Sequence, residues 1–248
     1  MRSASYGILD TAFVGRGVPR TVNGERIRFP AAWCRYYPPI YEAAKHRFLI
    51  DHCRPGSTVI DGGAHIGLFT VAMARAVGPT GCVLAFEPTP KTREVLARTV
   101  ALNGFGASVS IRAEGLAATT GRTTLHVGPT EGSNSNSLIG PAVPGSTTDV
   151  ATITLDDLLP TLSSELSCIK LDIEGAELDA LLGAERLLRT LHPALCVEVH
   201  PRMLRAGGRN PEQVRDLLLD IGYTLHEGPR PCLPERFAGE DLFEFQAA

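Results

Sequence analysis

The chain has 248 residues, 44% of them hydrophobic, with 24 Lys plus Arg against 27 Asp plus Glu and a formal net charge of −3. That length can bury one substantial core, and the slightly acidic balance offers nucleic acid no basic surface. No apolar run reaches membrane-spanning length and no charged-then-apolar leader opens the chain, so the expected location is the cytoplasm, away from membranes.

The first fifty residues read as irregular, aromatic and basic, with Trp33, Tyr36, Tyr37 and Tyr41 around several prolines. We set residues 1–50 apart as a cap on the substrate side of a domain spanning 51–248. "RFLIDHC" ends a short helix that Pro55 and Gly56 stop. An alternation then begins. Strand-like "STVID" leads into helical "GLFTVAMARAV", and "GCVLAFE" into "TPKTREVLARTVALNG". Further on, "CIKLDI" precedes "AELDALLGAERLLRTL", and "ALCVEVH" precedes "PEQVRDLLLDIG". Apolar strands alternating with amphipathic helices predict βαβ units, hence a doubly wound α/β fold on a mostly parallel sheet. Between them, residues 108–128 hold two short strand candidates. The polar loop that follows, centred on "GSNSNS" in 130–145, has the composition of a lid. "YTLHE" and "DLFEFQ" are joined too briefly for a helical crossover, so they should pair antiparallel at the sheet edge. Six scattered cysteines form no CxxC pair and read as free thiols. The excess of arginine over lysine reads as a codon bias and carries no function.

The sharpest motif is "VIDGGAHIGLFTVA". An apolar strand ends in Asp61, Gly63 allows a ligand close to the backbone, and Gly67 lets the next helix start against the strand. The spacing Asp-x-Gly-x-x-x-Gly differs from the GxGxxG dinucleotide fingerprint, and an acid here suits a ligand with a free ammonium group better than a pyrophosphate. Glu87 ends the next strand, where an acid accepts hydrogen bonds from both ribose hydroxyls of an adenosine. Together the two select an adenosine that carries an amino acid. His65, inside the turn, is expected to hydrogen-bond or to shape the helix entry.

In this order, "VIDGGAHIGLFT", "AFEP", "ITLDDLL", "CIKLDIEGAELDALLGAERLL" and "CVEVHP" resemble the FkbM-type family of S-adenosylmethionine-dependent methyltransferases. The likeness runs from about Phe48 to Tyr223 and is most specific between Ile169 and Leu188. It implies a seven-stranded sheet with an antiparallel last strand, S-adenosylmethionine as cofactor, and O-methylation of a hydroxyl on a natural product or sugar. His65 stands where the family commonly has Asn, and its imidazole can still hydrogen-bond.

Strand alternation puts Cys168, Lys170 and Asp172 on one face, and Cys196, Glu198 and His200 on one face of the next strand. Asp172 and His200 then lie at the strand mouths, where such folds bind ligands. His200 is the expected proton acceptor. Asp172 would orient the acceptor or the cofactor's methionine end. Lys170 needs a carboxylate, and Glu198 is the expected one. Asp172, Glu174 and Glu177 together could hold Mg²⁺. Glu177 equally complements its helix N-terminus, so no metal is assigned. Two other functions fit the architecture less well. A nicotinamide-dependent oxidoreductase lacks its glycine fingerprint here, and a non-catalytic binding module would have no need of Asp61, Gly63 and Glu87 together.

Overall fold

Thr58–Gly62 is buried at every position, as a strand covered on both faces must be. A computed structural model describes residues 15–128, 136–140, 145–162, 165–239 and 243–247. It opens with an antiparallel hairpin, β1 (Val18–Val22) and β2 (Glu25–Phe29). Asn23 and Gly24, both at positive φ, form its two-residue turn. This hairpin departs from the irregular segment expected there. The helix α1 (Ala43–His52) follows.

The alternating units are β3 (Thr58–Gly62), α2 (Leu68–Val77), β4 (Cys82–Phe86), α3 (Pro90–Leu102) and β5 (Val109–Arg112). Next come three strands, β6 (Gly115–Leu116), β7 (Gly121–Val127) and β8 (Ser146–Ile153), which form a separate sheet in the order β6-β8-β7. The chain returns to the main sheet with β9 (Leu166–Leu171), then α4 (Glu177–Leu182), α5 (Glu185–Leu191) and β10 (Ala194–Val199). It ends with α6 (Pro201–Ala206), α7 (Glu212–Ile221), β11 (Leu225–Glu227), β12 (Arg230–Pro231), α8 (Glu235–Gly239) and β13 (Phe243–Ala247).

The main sheet runs β12-β11-β13-β10-β9-β3-β4-β5. Its seven longer strands are the sheet expected from the sequence, and the two-residue β12 adds an eighth at the edge. β13 is antiparallel to both neighbours, whereas β10, β9, β3, β4 and β5 are mutually parallel. Alternation divides the core between two faces. Val59, Val83, Cys168 and Cys196 pack under the hairpin and helices α1 to α3, while Ile60, Phe86, Ile169 and Val197 pack under helices that include α4, α5 and α7. The carboxyl ends of β3, β4, β9 and β10 therefore open side by side, on the edge where ligands bind in this architecture. All six cysteines are free thiols. Among the described residues, no helix is long and apolar enough to cross a membrane.

Candidate active site

At the end of β3 the backbone turns sharply. Gly63 has φ +76, and a Cβ on it would lie 1.9 Å from the carbonyl oxygen of Asp172 at the end of β9. Only glycine lets the two strand ends approach this closely. Gly67 (φ +93) starts α2, and a Cβ there would press on Leu96. Glu87, just past β4, is buried yet well supported: its two carboxylate oxygens accept the backbone N–H groups of His65 (3.0 Å) and Thr89 (2.9 Å). Burial raises its pKa, and these bonds work in the opposite direction. Asn136 reaches in from the polar loop and donates to the Thr89 hydroxyl at 3.0 Å.

The floor is a charged network. Lys170 Nζ lies 3.1 Å from Asp61 Oδ1 and donates to the carbonyls of Gly62 (3.1 Å) and Gly63 (3.0 Å). The other carboxylate oxygen of Asp61 accepts the Thr70 hydroxyl at 2.6 Å. Lys45, fully buried on α1, is met by Glu198, by Glu42 at 2.6 Å, and by Asp172 and Glu244 at 3.2 Å each. Burial opposes its charge, but Asp172, Glu198, Glu244 and Glu42 outweigh it and hold the ammonium well above the usual lysine value. Asp172 lies between two cations, with Lys170 3.8 Å away on its other side. Burial would raise its carboxyl; Lys45, Lys170 and His200 overcome that and keep it below the ordinary range. Glu244 is one of four carboxylates competing for Lys45, and burial with the charges of Glu198 and Glu42 lifts it to about 7 despite that lysine.

His200 follows β10 and is 8% exposed. Its Nδ1 lies 2.8 Å from Oε1 of the fully buried Glu177, and its Nε2 lies 3.4 Å from Oε2 of Glu174. Burial would depress the imidazole, but the Glu177 hydrogen bond, with the charges of Glu177, Glu174 and Asp172, raises it to about 9. Glu174 is pushed up to about 7, chiefly by burial and by its acidic neighbours, against the pull of His200. It sits at φ +53, and its carbonyl accepts the Ser137 hydroxyl at 2.6 Å.

These groups surround a cavity of about 440 Å³, within the range of small-molecule and cofactor sites. Its wall is aromatic on the N-terminal side. Tyr36 and Tyr37 meet edge to face at 4.9 Å, Tyr37 and Tyr41 at 4.8 Å, and Tyr36 lies 5.0 Å from the His65 ring. The Tyr37 hydroxyl and His65 Nδ1 are 3.2 Å apart.

Of the expected residues, Gly63, His65, Glu87, Lys170, Asp172, Glu198 and His200 line this cavity. Asp61 does not. It is fully buried, and its part is to hold Lys170 rather than to face a ligand. Gly67 stands behind the turn. The expected Lys170–Glu198 pair is corrected: Lys170 is the Cα partner of Asp61 on one side and of Cys196 on the other, so Asp61 takes its ammonium and Glu198 turns to Lys45. Glu177 is committed to His200 and to the Gly175 N–H at 3.0 Å. Among the described residues, the ligand atoms that could share an ion belong instead to two sets, Asp172, Glu174 and His200, and Glu42, Glu198 and Glu244, the atoms of each within 4.8 Å of one another; Lys45 already fills the second. The expected lid at 130–145 lies mostly outside the described residues, and Asn136 and Leu138 are its members on the cavity wall. Sequence reasoning missed Lys45, Glu42, Glu244 and Thr89.

A family model for the methyltransferase FkbM domain matches residues 61–225. Methyltransferase sdnD of Sordaria araneosa is 31% identical over 223 residues, which is 76% of this chain and 84% of that protein. Among solved structures, a methyltransferase FkbM from Methylobacillus flagellatus KT superposes with a TM-score of 0.50 at 20% identity. The match covers 83% of this chain and 51% of that one, so the present chain spans about half of that protein's length.

Proposed function

The chain belongs to the FkbM-domain methyltransferase family, and we propose that it transfers the methyl group of S-adenosylmethionine to a hydroxyl oxygen of a small molecule. One observation carries this reading: a single cavity joins Glu87, anchored for ribose binding, to the imidazole of His200, anchored for proton transfer. The residues fit the cofactor. The Glu87 carboxylate accepts two backbone N–H groups and the Thr89 hydroxyl, which fix it in place with acceptor capacity left for a ribose hydroxyl, and the bare Cα of Gly63 leaves room that a Cβ would occupy. When bound, the cofactor supplies an electrophilic methyl on a sulfonium sulfur.

The chain's own residues then have distinct parts. Glu177 holds Nδ1–H of His200, which leaves Nε2 facing the cavity as the position that accepts the hydroxyl proton. With a pKa raised to about 9, His200 carries a proton at neutral pH in the ligand-free protein. A positive ligand entering the same cavity disfavours that imidazolium and releases the neutral ring for catalysis. Asp172, fixed between Lys45 and Lys170, stays ionised and orients what binds beside it. Because two ammonium groups already compensate Asp172, we assign no metal to the Asp172, Glu174 and His200 set. Residues 36–42 serve as the substrate-side cap. A dinucleotide oxidoreductase is disfavoured by the Asp61-x-Gly63-x-x-x-Gly67 turn.

The test is transfer of a labelled methyl group, with chelator present, to paired small molecules that differ by one hydroxyl, together with mass spectrometry of any nucleoside that copurifies. Label appearing as an ether on oxygen supports the reading. Label confined to nitrogen or carbon, or transfer that chelator abolishes and Mg²⁺ restores, overturns it.

A further inference from the structure

The acceptor side of the cavity holds more negative charge than its own cations compensate. Glu42, Asp172, Glu174 and Glu198 line it, and Glu244 stands directly behind. Lys45 is shared among Glu42, Asp172, Glu198 and Glu244, Lys170 is divided between Asp61 and Asp172, and His200 between Glu177 and Glu174. A cofactor whose sulfonium, ammonium and carboxylate sum to one positive charge leaves several carboxylates over. All five carboxylates are half-buried, and acids withdrawn from water to that degree are seldom kept without partners. Burial, and after it the charges of the neighbouring carboxylates, raises Glu174 and Glu244 both to about 7, so that a further cation would favour their ionised forms.

The second observation is the aromatic wall. Tyr36, Tyr41 and Phe69 line the same part of the cavity as these acids: the negative charges of Glu174 and Glu42, after burial, hold up the Tyr36 phenol, and Glu42 hydrogen-bonds Tyr41. Phe69 already faces cations, with Lys45 Nζ 5.4 Å and Lys170 Nζ 5.7 Å from its ring centroid. Aromatic faces interleaved with carboxylates are how proteins recognise organic ammonium groups. A neutral polyol would instead call for amides and hydroxyls, and an anionic one for free arginines. Among the described residues no arginine lines the cavity, and Arg112, which lies over the lining ring of Phe86, is bound to Glu114 at 2.6 Å.

We propose that the acceptor is an organic cation, a hydroxylated molecule bearing a protonated amine or quaternary ammonium group that is held between Glu42, Glu174 and Glu198 and the Tyr36–Tyr41 wall. This rests on the methyltransferase reading above and narrows its substrate class. Methyl transfer would form a C–O bond as the C–S bond of the sulfonium breaks, with the hydroxyl proton passing to His200.

The test uses the full chain saturated with S-adenosylhomocysteine and three pairs of probes: glucosamine against N-acetylglucosamine, ethanolamine against N-acetylethanolamine, and choline against 3,3-dimethylbutanol. Calorimetry at low salt should give each cation an affinity about tenfold or more above its neutral counterpart. The preference should shrink in Glu174→Gln and in Glu42→Gln while S-adenosylhomocysteine affinity is retained. Equal or weaker binding of the cations in all three pairs, including no binding at all, overturns the inference, as does a preference that survives both glutamine variants. The two readings fail separately. Methyl transfer to neutral hydroxyls without any gain from an amine leaves the O-methyl reading standing and removes this one, whereas cation preference with label on nitrogen does the reverse.

Discussion

Replacing Lys45 with methionine should be the most damaging single change in the protein outside the sheet core. Lys45 is fully buried, and its ammonium meets carboxylates from four separate places in the chain: Glu42, Asp172, Glu198 and Glu244. Methionine fills most of the volume, so the loss is electrostatic. Removing one partner of a buried ion pair costs about 3–5 kcal/mol because the other is left uncompensated. At about 2–4 °C per kcal/mol for a chain of this size, the melting temperature should fall by about 6–20 °C. The loss should also depend on pH. A carboxyl whose folded pKa is raised costs stability on ionising, and for Glu244 that cost grows from the ordinary carboxylate value of about 4 up to about 7. Asp172 has the opposite sign, lowered when folded and stabilising above its ordinary value, but without Lys45 it retains only Lys170 at 3.8 Å. Lys45 itself, raised, contributes constantly over the neutral range and loses its effect only in strong base. The Lys45→Met deficit should therefore be larger at pH 8 than at pH 5.5 and should be softened by a second change, Glu198→Gln. Thermal unfolding of the single and double variants at both pH values measures this. A deficit that is equal at the two pH values, or a double variant no more stable than the single one, would refute the electrostatic reasoning.

Four further outcomes follow from the site. Glu87→Ala should weaken S-adenosylhomocysteine binding about tenfold or more, since two ribose hydroxyls lose a buried acceptor worth about 1–3 kcal/mol; unchanged calorimetric affinity would remove Glu87 from the cofactor site. His200→Ala should lower kcat by about 10²–10⁴ with cofactor affinity nearly kept. In the unaltered enzyme, kcat/KM should rise with pH toward an inflection near 9, where His200 loses its proton, and a flat profile from pH 6 to 9 would exclude it as the base. Gly63→Ala places a methyl 1.9 Å from the Asp172 carbonyl at a positive φ, so either the fold or S-adenosylhomocysteine binding should be lost. A variant with normal melting temperature and affinity would show that the two strand ends can part freely.

What could be read from the sequence was local. Gly63, Gly67 and Glu87 lie within a few residues of the strand ends that position them, and what the structure gives them is equally local: φ freedom in a tight turn, and an acid at a strand end that accepts backbone N–H groups. The antiparallel pairing of β11 with β13 followed from a connection too short for a crossover. The Asn23-Gly24 turn was equally local, between alternating apolar residues, yet the aromatic and proline content around it concealed the hairpin. Partner choice was harder, because it depends on strand order. Lys170 was matched to the next strand in sequence, β10, whereas β9 has β3 on its other side and the register sets Asp61 directly across. Lys45 and Glu244 were out of reach of any local pattern, since their contact joins an early helix to the last strand. A signal existed all the same. The chain uses arginine nearly everywhere, and two of its three lysines, Lys45 and Lys170, are buried at the site. A compact ammonium suits a point shared by several carboxylates, and the planar fork of arginine does not.

The position of β13 has a consequence for how the protein comes apart. It is the last strand in the sequence, yet it lies in the interior of the sheet, between β10 and β11. Until β13 is in place, those two strands present unpaired backbone edges toward an empty slot, an invitation to foreign strands. Glu244, carried on β13, arrives at the same moment to join Lys45. The closing of the sheet and the completion of the charged floor are thus a single step. Anything that pulls β13 out of its slot should open the sheet and loosen Lys45 together, so the two should be lost in one transition rather than by degrees.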